Sequence, residues 1–130
     1  MKKINKTIPI TIDPLYNSTS IYISLDVKVE DSGILFNKFN GVYLDGNLLF
    51  EDAATPNEIK IVNKASDLKG KELKLFSRYN VVAPTDDEAT FPKLTWTPNL
   101  EAGDHTIYDD EESGPSDDNM FQFSITFTFN

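Results

Sequence analysis

Apolar side chains recur at every second position in two long segments of the chain. They run from Ile21 to Val29 with polar residues between them, and from Phe121 to Phe129 in the same way. A period of two is typical of β-strands that have one buried and one solvated face. Shorter strands are predicted over residues 58–62, 73–82, 91–97 and 105–108, and residues 7–12 are predicted as an edge strand because Pro9 cannot donate a hydrogen bond.

Turn signals separate these strands. Asp45-Gly46 stands between two apolar triplets and predicts a two-residue hairpin, since both residues tolerate positive φ. Asn40-Gly41 is a second signal of this kind only five residues earlier, and Asp45-Gly46 is the favoured one of the two. Helix is predicted only as one turn over residues 63–69, before Gly70. The pattern predicts an antiparallel β-sandwich of about eight or nine strands, with a small closed β-barrel as the alternative.

Length and composition predict one domain over residues 1–130. The chain has 39% hydrophobic residues and nine Phe, which is enough to fill a core. It contains no Cys, so disulfides and thiolate chemistry are excluded. Thr, Pro and Asp interrupt the segment after the basic N-terminus, so we expect no signal peptide and a cytoplasmic location, or export without a cleaved signal. No run approaches the roughly 20 apolar residues of a membrane helix, so the chain is predicted not to span a membrane.

The acidic residues are unevenly distributed. Residues 86–118 contain eleven of the 21 acids and a single base, Lys93, whereas the remainder has ten acids and eleven bases. The net charge of −9 therefore arises from one quarter of the chain. Nucleic-acid binding needs clustered Lys and Arg and is not expected.

The predicted strand order gathers these acids in one place. If the last four strands run up and down, the loops 84–90 and 109–119 emerge at one end of the sandwich, and the loop 98–103 at the other. Nine carboxylates then form a rim: Asp86, Asp87, Glu88, Asp109, Asp110, Glu111, Glu112, Asp117 and Asp118. Calcium takes six to eight oxygen ligands from such loops. The likeliest oxygen donors are Asp86, Asp87, Asp109, Glu111 and Asp117, although a solvated acidic surface explains the same charges.

Catalytic chemistry finds little support in the residues. His105 is the only histidine, which excludes a His-based zinc site and leaves no recognisable triad. Trp96 is interpreted as a core residue, with a sugar-stacking platform as the alternative. The segment 36–41 mixes Phe and Asn, as sugar-binding loops do, and also fits an ordinary turn.

These observations favour binding over catalysis. The leading hypothesis is a non-enzymatic protein-interaction or assembly module that needs no cofactor and is oligomeric through its sheet edges. The long apolar C-terminal strand is suited to pairing across subunits. The alternative is a calcium-dependent module that binds a sugar or a lipid through the acidic loops.

Overall fold

The computed structural model describes residues 2–30, 33–82, 93–114 and 120–130. Within these ranges the chain forms ten strands and two short 3-10 turns. The strands are β1 (Lys2–Ile10), β2 (Ile21–Val29), β3 (Ile34–Leu44), β4 (Asn47–Asp52), β5 (Ile59–Val62), β6 (Glu72–Val82), β7 (Leu94–Ala102), β8 (His105–Tyr108), β9 (Glu112–Gly114) and β10 (Met120–Phe129), and the 3-10 turns are Pro14–Tyr16 and Ala65–Leu68.

The strands form two sheets that pack face to face, so the predicted sandwich is confirmed. Sheet A has the order β1-β10-β6-β3-β4, and sheet B has the order β5-β2-β7 followed by β8 and β9, which both pair with β7. Each sheet ends in edge strands, so the alternative of a closed sheet is wrong. All pairs are antiparallel except β1 with β10, which run parallel.

The apolar residues that recur at every second position in the sequence form the inner face of each sheet. Phe121, Phe123, Ile125, Phe127 and Phe129 of β10 are buried, and Leu73, Leu75, Tyr79 and Val81 of β6 lie beside them. The Trp96 ring of β7 stacks on the Phe123 ring of β10 with the centroids 4.9 Å apart, which joins the two sheets. Burial of a side chain of this size contributes about 1.5–3 kcal/mol, so this alternation is the main source of stability.

Three local predictions are confirmed. Asp45 and Gly46 connect β3 to β4 with φ of 47° and 79°, the backbone of a two-residue hairpin turn. The single helical turn is the 3-10 turn Ala65–Leu68, which precedes Gly70 at φ 80°. The strand that contains Pro9 is an edge strand, as expected, although it begins at Lys2 and ends at Ile10.

The segment around Phe36 and Asn40 is not a turn region. It belongs to β3, and the register with β6 shifts between Phe36 and Phe39, where Asn37 has φ 50°. The extra residues of a β-bulge have the same amide and glycine signals as a turn, which explains the error.

Asn40 is the centre of a buried polar network. Its side-chain oxygen accepts hydrogen bonds from the Ser77 hydroxyl at 2.7 Å and from the Tyr79 hydroxyl. Its amide donates to the carbonyls of Ala53 and Ala54, both at 3.1 Å. The Trp96 indole donates to Ser77 at 3.0 Å. The network therefore links sheet A to sheet B and fastens the segment that follows β4.

Candidate functional site: the aromatic face of sheet A

The outer surfaces of the two sheets differ in chemistry. Sheet B presents mostly polar side chains from β2 and β7: Tyr22, Ser24, Asp26, Lys28, Thr95, Thr97, Asn99 and Glu101. A solvated outer surface of this kind is usual for an antiparallel sheet. Sheet A instead presents several large apolar side chains, and we call five of them the aromatic face: Phe36, Phe39, Tyr43, Leu48 and Phe76. Because side chains alternate between the two faces of a strand, these five cannot reach the core, and their position on the outer surface needs another explanation.

Two cations lie over the centre of the aromatic face. The Lys74 ammonium and the Arg78 guanidinium carbon are each 5.8 Å from the centroid of the Phe76 ring. The Phe39 ring contacts Phe76 edge-on with the centroids 5.9 Å apart. Arg78 is the only arginine of the chain, and in the described residues neither cation forms a salt bridge. Cation–π contacts hold both charges on the apolar surface and leave them available to an outside anion.

A groove of about 380 Å³ crosses β3, β6 and β10 next to these cations, and Tyr43, Phe76 and Thr126 line it. Two hydrogen bonds fix its border. The Asp45 N–H donates to the Glu72 carbonyl at 2.8 Å, and the Asp45 carboxylate accepts from the Glu72 N–H at 2.8 Å. This reciprocal pair fastens the hairpin turn to the start of β6. The face is therefore preorganised, which lowers the entropic cost of binding.

Gly41 allows the Tyr43 ring to lie on the sheet. A Cβ at Gly41 would stand 2.7 Å from the Tyr43 hydroxyl and 2.8 Å from a ring carbon. We expect Gly41→Ala to move the ring away from residue 41 and to change the free energy of unfolding by only about 1 kcal/mol, since the end of a side chain can yield. Two-dimensional NMR of the Tyr43 ring protons measures the displacement. An unchanged position of the Tyr43 ring in the variant would contradict the steric role of Gly41.

Three of the four sheet edges carry features that discourage pairing with another chain. β1 contains Pro9, and its Lys6 is on the inner face, where it forms a salt bridge with Glu112 of β9. The hydrogen bond from Lys6 to Glu112 in this salt bridge raises the pKa of Lys6. β5 has four residues, and the edge formed by β8 and β9 is interrupted between Tyr108 and Glu112.

The fourth edge, β4, has a register shift in its pairing with β3 between Val42 and Tyr43, but it lacks the other features. Its sequence contains neither Pro nor Lys, and Leu48 and Leu49 are 54% and 39% exposed. Leu48 is the cross-strand partner of Tyr43, so this edge is continuous with the aromatic face. The C-terminal strand β10, by contrast, has β1 on one side and β6 on the other. The expectation that β10 pairs across subunits is therefore wrong.

Only part of the predicted acidic rim falls on described residues. Leu94 pairs with Gly114, and Asn80 pairs with Met120, so the described strands that flank residues 83–92 and 115–119 end on the same side of the molecule. Residues 109–119 do not form one loop, however, because Glu112–Gly114 is strand β9. Asp109 and Glu111 are exposed on the lateral edge of sheet B, halfway along β7.

Pro98 accounts for this placement. The Leu25 N–H donates a hydrogen bond to the Pro56 carbonyl. Leu25 therefore directs its backbone polar groups away from its cross-strand partner Pro98, and Pro98 directs its own away from Leu25. The nitrogen of Pro98 therefore faces β8 and β9, where it has no hydrogen to donate. Pairing stops there, and residues 109–111 leave the ladder. The prediction of a loop over 98–103 is wrong for the same region, since β7 continues to Ala102.

The calcium hypothesis stays a prediction. Of its five oxygen donors, Asp86, Asp87 and Asp117 lie outside the described residues, and only Asp109 and Glu111 lie within them. Among described residues, no three acidic or histidine side chains are grouped closely enough to hold a metal ion.

The remaining candidate residues, Trp96 and His105, pack against other parts of the fold. Trp96 is 1% exposed and belongs to the core, as interpreted from the sequence. His105 stacks on Tyr16 with the ring centroids 4.4 Å apart.

In the part of the chain that the structure describes, no helix has the length and hydropathy needed to cross a bilayer.

A scan against protein-family models gives no match for this chain, and searches of curated proteins and of solved structures give none either. The functional inference therefore depends on the geometry of the aromatic face and of β4. The sequence contained a signal for this face: Phe76 alternates with the core residues Leu75 and Ser77, which assigns it to the solvent side of β6.

Proposed function

We propose that the protein is a non-enzymatic interaction and assembly module, and that the aromatic face and the adjoining β4 edge are its docking surface. The observation that carries the proposal is the contrast between the two outer surfaces of the sandwich. One is mostly polar, and the other combines four aromatic rings, an exposed leucine and the chain's only arginine.

The composition of the aromatic face is that of a protein interface. Aromatic residues and arginine are enriched in interfaces, and truncation of Tyr, Trp or Arg there causes many of the largest losses of affinity. An exposed apolar surface bordered by polar residues is also how soluble proteins present an interaction site. β4 adds a second means of attachment, because the unpaired backbone groups of an edge strand can hydrogen-bond to a strand of another chain.

Sedimentation equilibrium from micromolar to millimolar protein tests the assembly. We expect the weight-average mass of the wild type to rise above the monomer mass of 14.7 kDa as concentration increases. Phe36→Ser together with Leu48→Ser removes two of the most exposed apolar groups of the face, 37% and 54% exposed, and should weaken the association by roughly tenfold or more.

Leu15→Ser is the matched control, because Leu15 is 78% exposed in the 3-10 turn Pro14–Tyr16 and lies outside the aromatic face. It should leave the association constant unchanged. A wild type that remains at 14.7 kDa over the whole range would overturn the assembly proposal. Equal losses in the double variant and in the control would show that general surface hydrophobicity, and not this face, causes association.

A further inference from the structure

We infer that the occupant of the aromatic face is the acidic edge of a second copy of this chain, so that the copies associate head to tail. The acidic edge is the exposed segment Asp109, Asp110 and Glu111 between β8 and β9. This inference rests on the proposed function and names its partner.

The aromatic face is a local site of positive charge on an acidic protein. Lys74 and Arg78 stand over Phe76, and neither has a salt-bridge partner among the described residues. The apolar stem of each covers aromatic surface, and its hydrogen-bond donors have no carboxylate partner within the described residues. Arginine on such a surface recognises carboxylates through two parallel hydrogen bonds. The chemistry of the face therefore fits an anionic partner, and a neutral apolar segment would leave both charges buried without a counter-charge.

The acidic edge supplies the complementary charge. Its three carboxylates project where Pro98 interrupts backbone pairing, while the next acid, Glu112, is already bound to Lys6. The three are consecutive and exposed, so they reach a partner without unfolding of either strand.

The two surfaces belong to different parts of the molecule. The aromatic face is the outer surface of sheet A, and the acidic edge is the side of sheet B formed by β8 and β9. A contact between unlike surfaces is heterologous, and it produces a ring or an open chain of copies instead of a closed dimer. Its dependence on salt also has a definite sign. Salt screens the attraction between face and edge and weakens a head-to-tail contact, whereas it strengthens the pairing of two like surfaces on chains of charge −9.

Two charge-reversal variants test the inference. The face variant carries Lys74→Glu and Arg78→Glu, and the edge variant carries Asp109→Lys, Asp110→Lys and Glu111→Lys. All five side chains are exposed, and circular-dichroism melting verifies that both variants fold. Each variant alone loses one half of the contact and should sediment as a monomer.

An equimolar mixture should behave differently. The intact face of the edge variant binds the intact edge of the face variant, and the reversed edge is likewise complementary to the reversed face, so association should return, with a mass of at least twice 14.7 kDa. In parallel, added NaCl should lower the mass of the wild type. If a variant fails to fold, Lys74→Gln with Arg78→Gln replaces the face variant. The NaCl series on the wild type still shows whether salt weakens or strengthens the association.

The possible failures are distinguishable. Variants that associate alone as strongly as the wild type, or a wild-type mass that rises with NaCl, would overturn the head-to-tail contact and leave the assembly proposal standing. A wild type that is monomeric at all concentrations would overturn both.

Discussion

Replacement of Asn40 by alanine is expected to lower the free energy of unfolding by about 3–5 kcal/mol, a large fraction of the stability of a domain of this size. The substitution removes the shared acceptor of the Ser77 and Tyr79 hydroxyls and the donor to the carbonyls of Ala53 and Ala54. Each buried polar group left without a partner costs about 1–3 kcal/mol. Chemical denaturation followed by Trp96 fluorescence measures the change.

The effect should extend beyond stability to the proposed docking surface. Ala53 and Ala54 directly follow β4, and Asn40 fastens them to the core. Hydrogen exchange should therefore accelerate in β4 more than in β2 or β10 of the Asn40→Ala protein. The same substitution at the exposed Asn5 of β1 is the control, and it should change stability by less than about 0.5 kcal/mol.

Asn40→Asp separates hydrogen bonding from volume. Aspartate is nearly the same size and keeps the acceptor, but an ionised carboxylate cannot donate to the two carbonyls, and its charge would be buried. We expect it to destabilise the protein at neutral pH at least as much as alanine does. Near wild-type stability of both variants would contradict the network's structural role and would attribute the stability to apolar packing alone.

The sequence predicted the parts of the fold that alternation and turn chemistry determine. The alternating apolar residues from Phe121 to Phe129 could be buried together only on one face of a strand. Asp45 and Gly46 both adopt the positive φ that a tight hairpin needs. These are local constraints, and each is visible within a few residues. The predicted sandwich followed from them.

Long-range pairing was not visible in the same way. Nothing local indicates that β1 pairs in parallel with β10 and so covers the edge of the C-terminal strand. The break at Asp109 depends on Pro98, which is distant in sequence and acts through a missing donor. Asp109, Asp110 and Glu111 were therefore assigned to the loop 109–119 at one end of the sandwich, whereas they lie on a lateral edge.

The candidate site was missed because its members were interpreted one at a time. Phe36, Phe39 and Tyr43 were attributed to a turn region and a short strand, and Phe76 was one residue of a predicted strand. Only the register of β3 with β6 places them on a single surface. The network around Asn40 was hidden for a related reason: Ser77 and Asn40 occupy inward positions, but their partnership needs the pairing of Asn40 with Ser77 across the two strands.

The ionisation of Tyr79 should make the stability of the protein depend on pH in the alkaline range. Burial is the main cause that raises the pKa of Tyr79 to about 12, and the neighbouring polar groups of Ser77, Trp96 and Asn40 oppose the shift. In the unfolded chain the tyrosine pKa is about 10. Below about pH 10 the hydroxyl is neutral in both states, and the contribution to stability is fully present. As pH rises toward 12, the unfolded state loses the proton first, and that contribution is lost.

A difference of two pKa units corresponds to roughly 2–3 kcal/mol. We therefore expect the wild type to lose this much more stability between about pH 10 and pH 12 than Tyr79→Phe, which has no ionisable group at that position. Urea denaturation at closely spaced pH values measures both curves, and all other ionisable groups are common to the two proteins. Curves that stay parallel from about pH 9 to pH 12 would show that the hydroxyl ionises as readily in the folded protein as in the unfolded chain. The Tyr79 side chain would then have access to water, and the closed network that joins Asn40 to Trp96 across the two sheets would be disproved along with it.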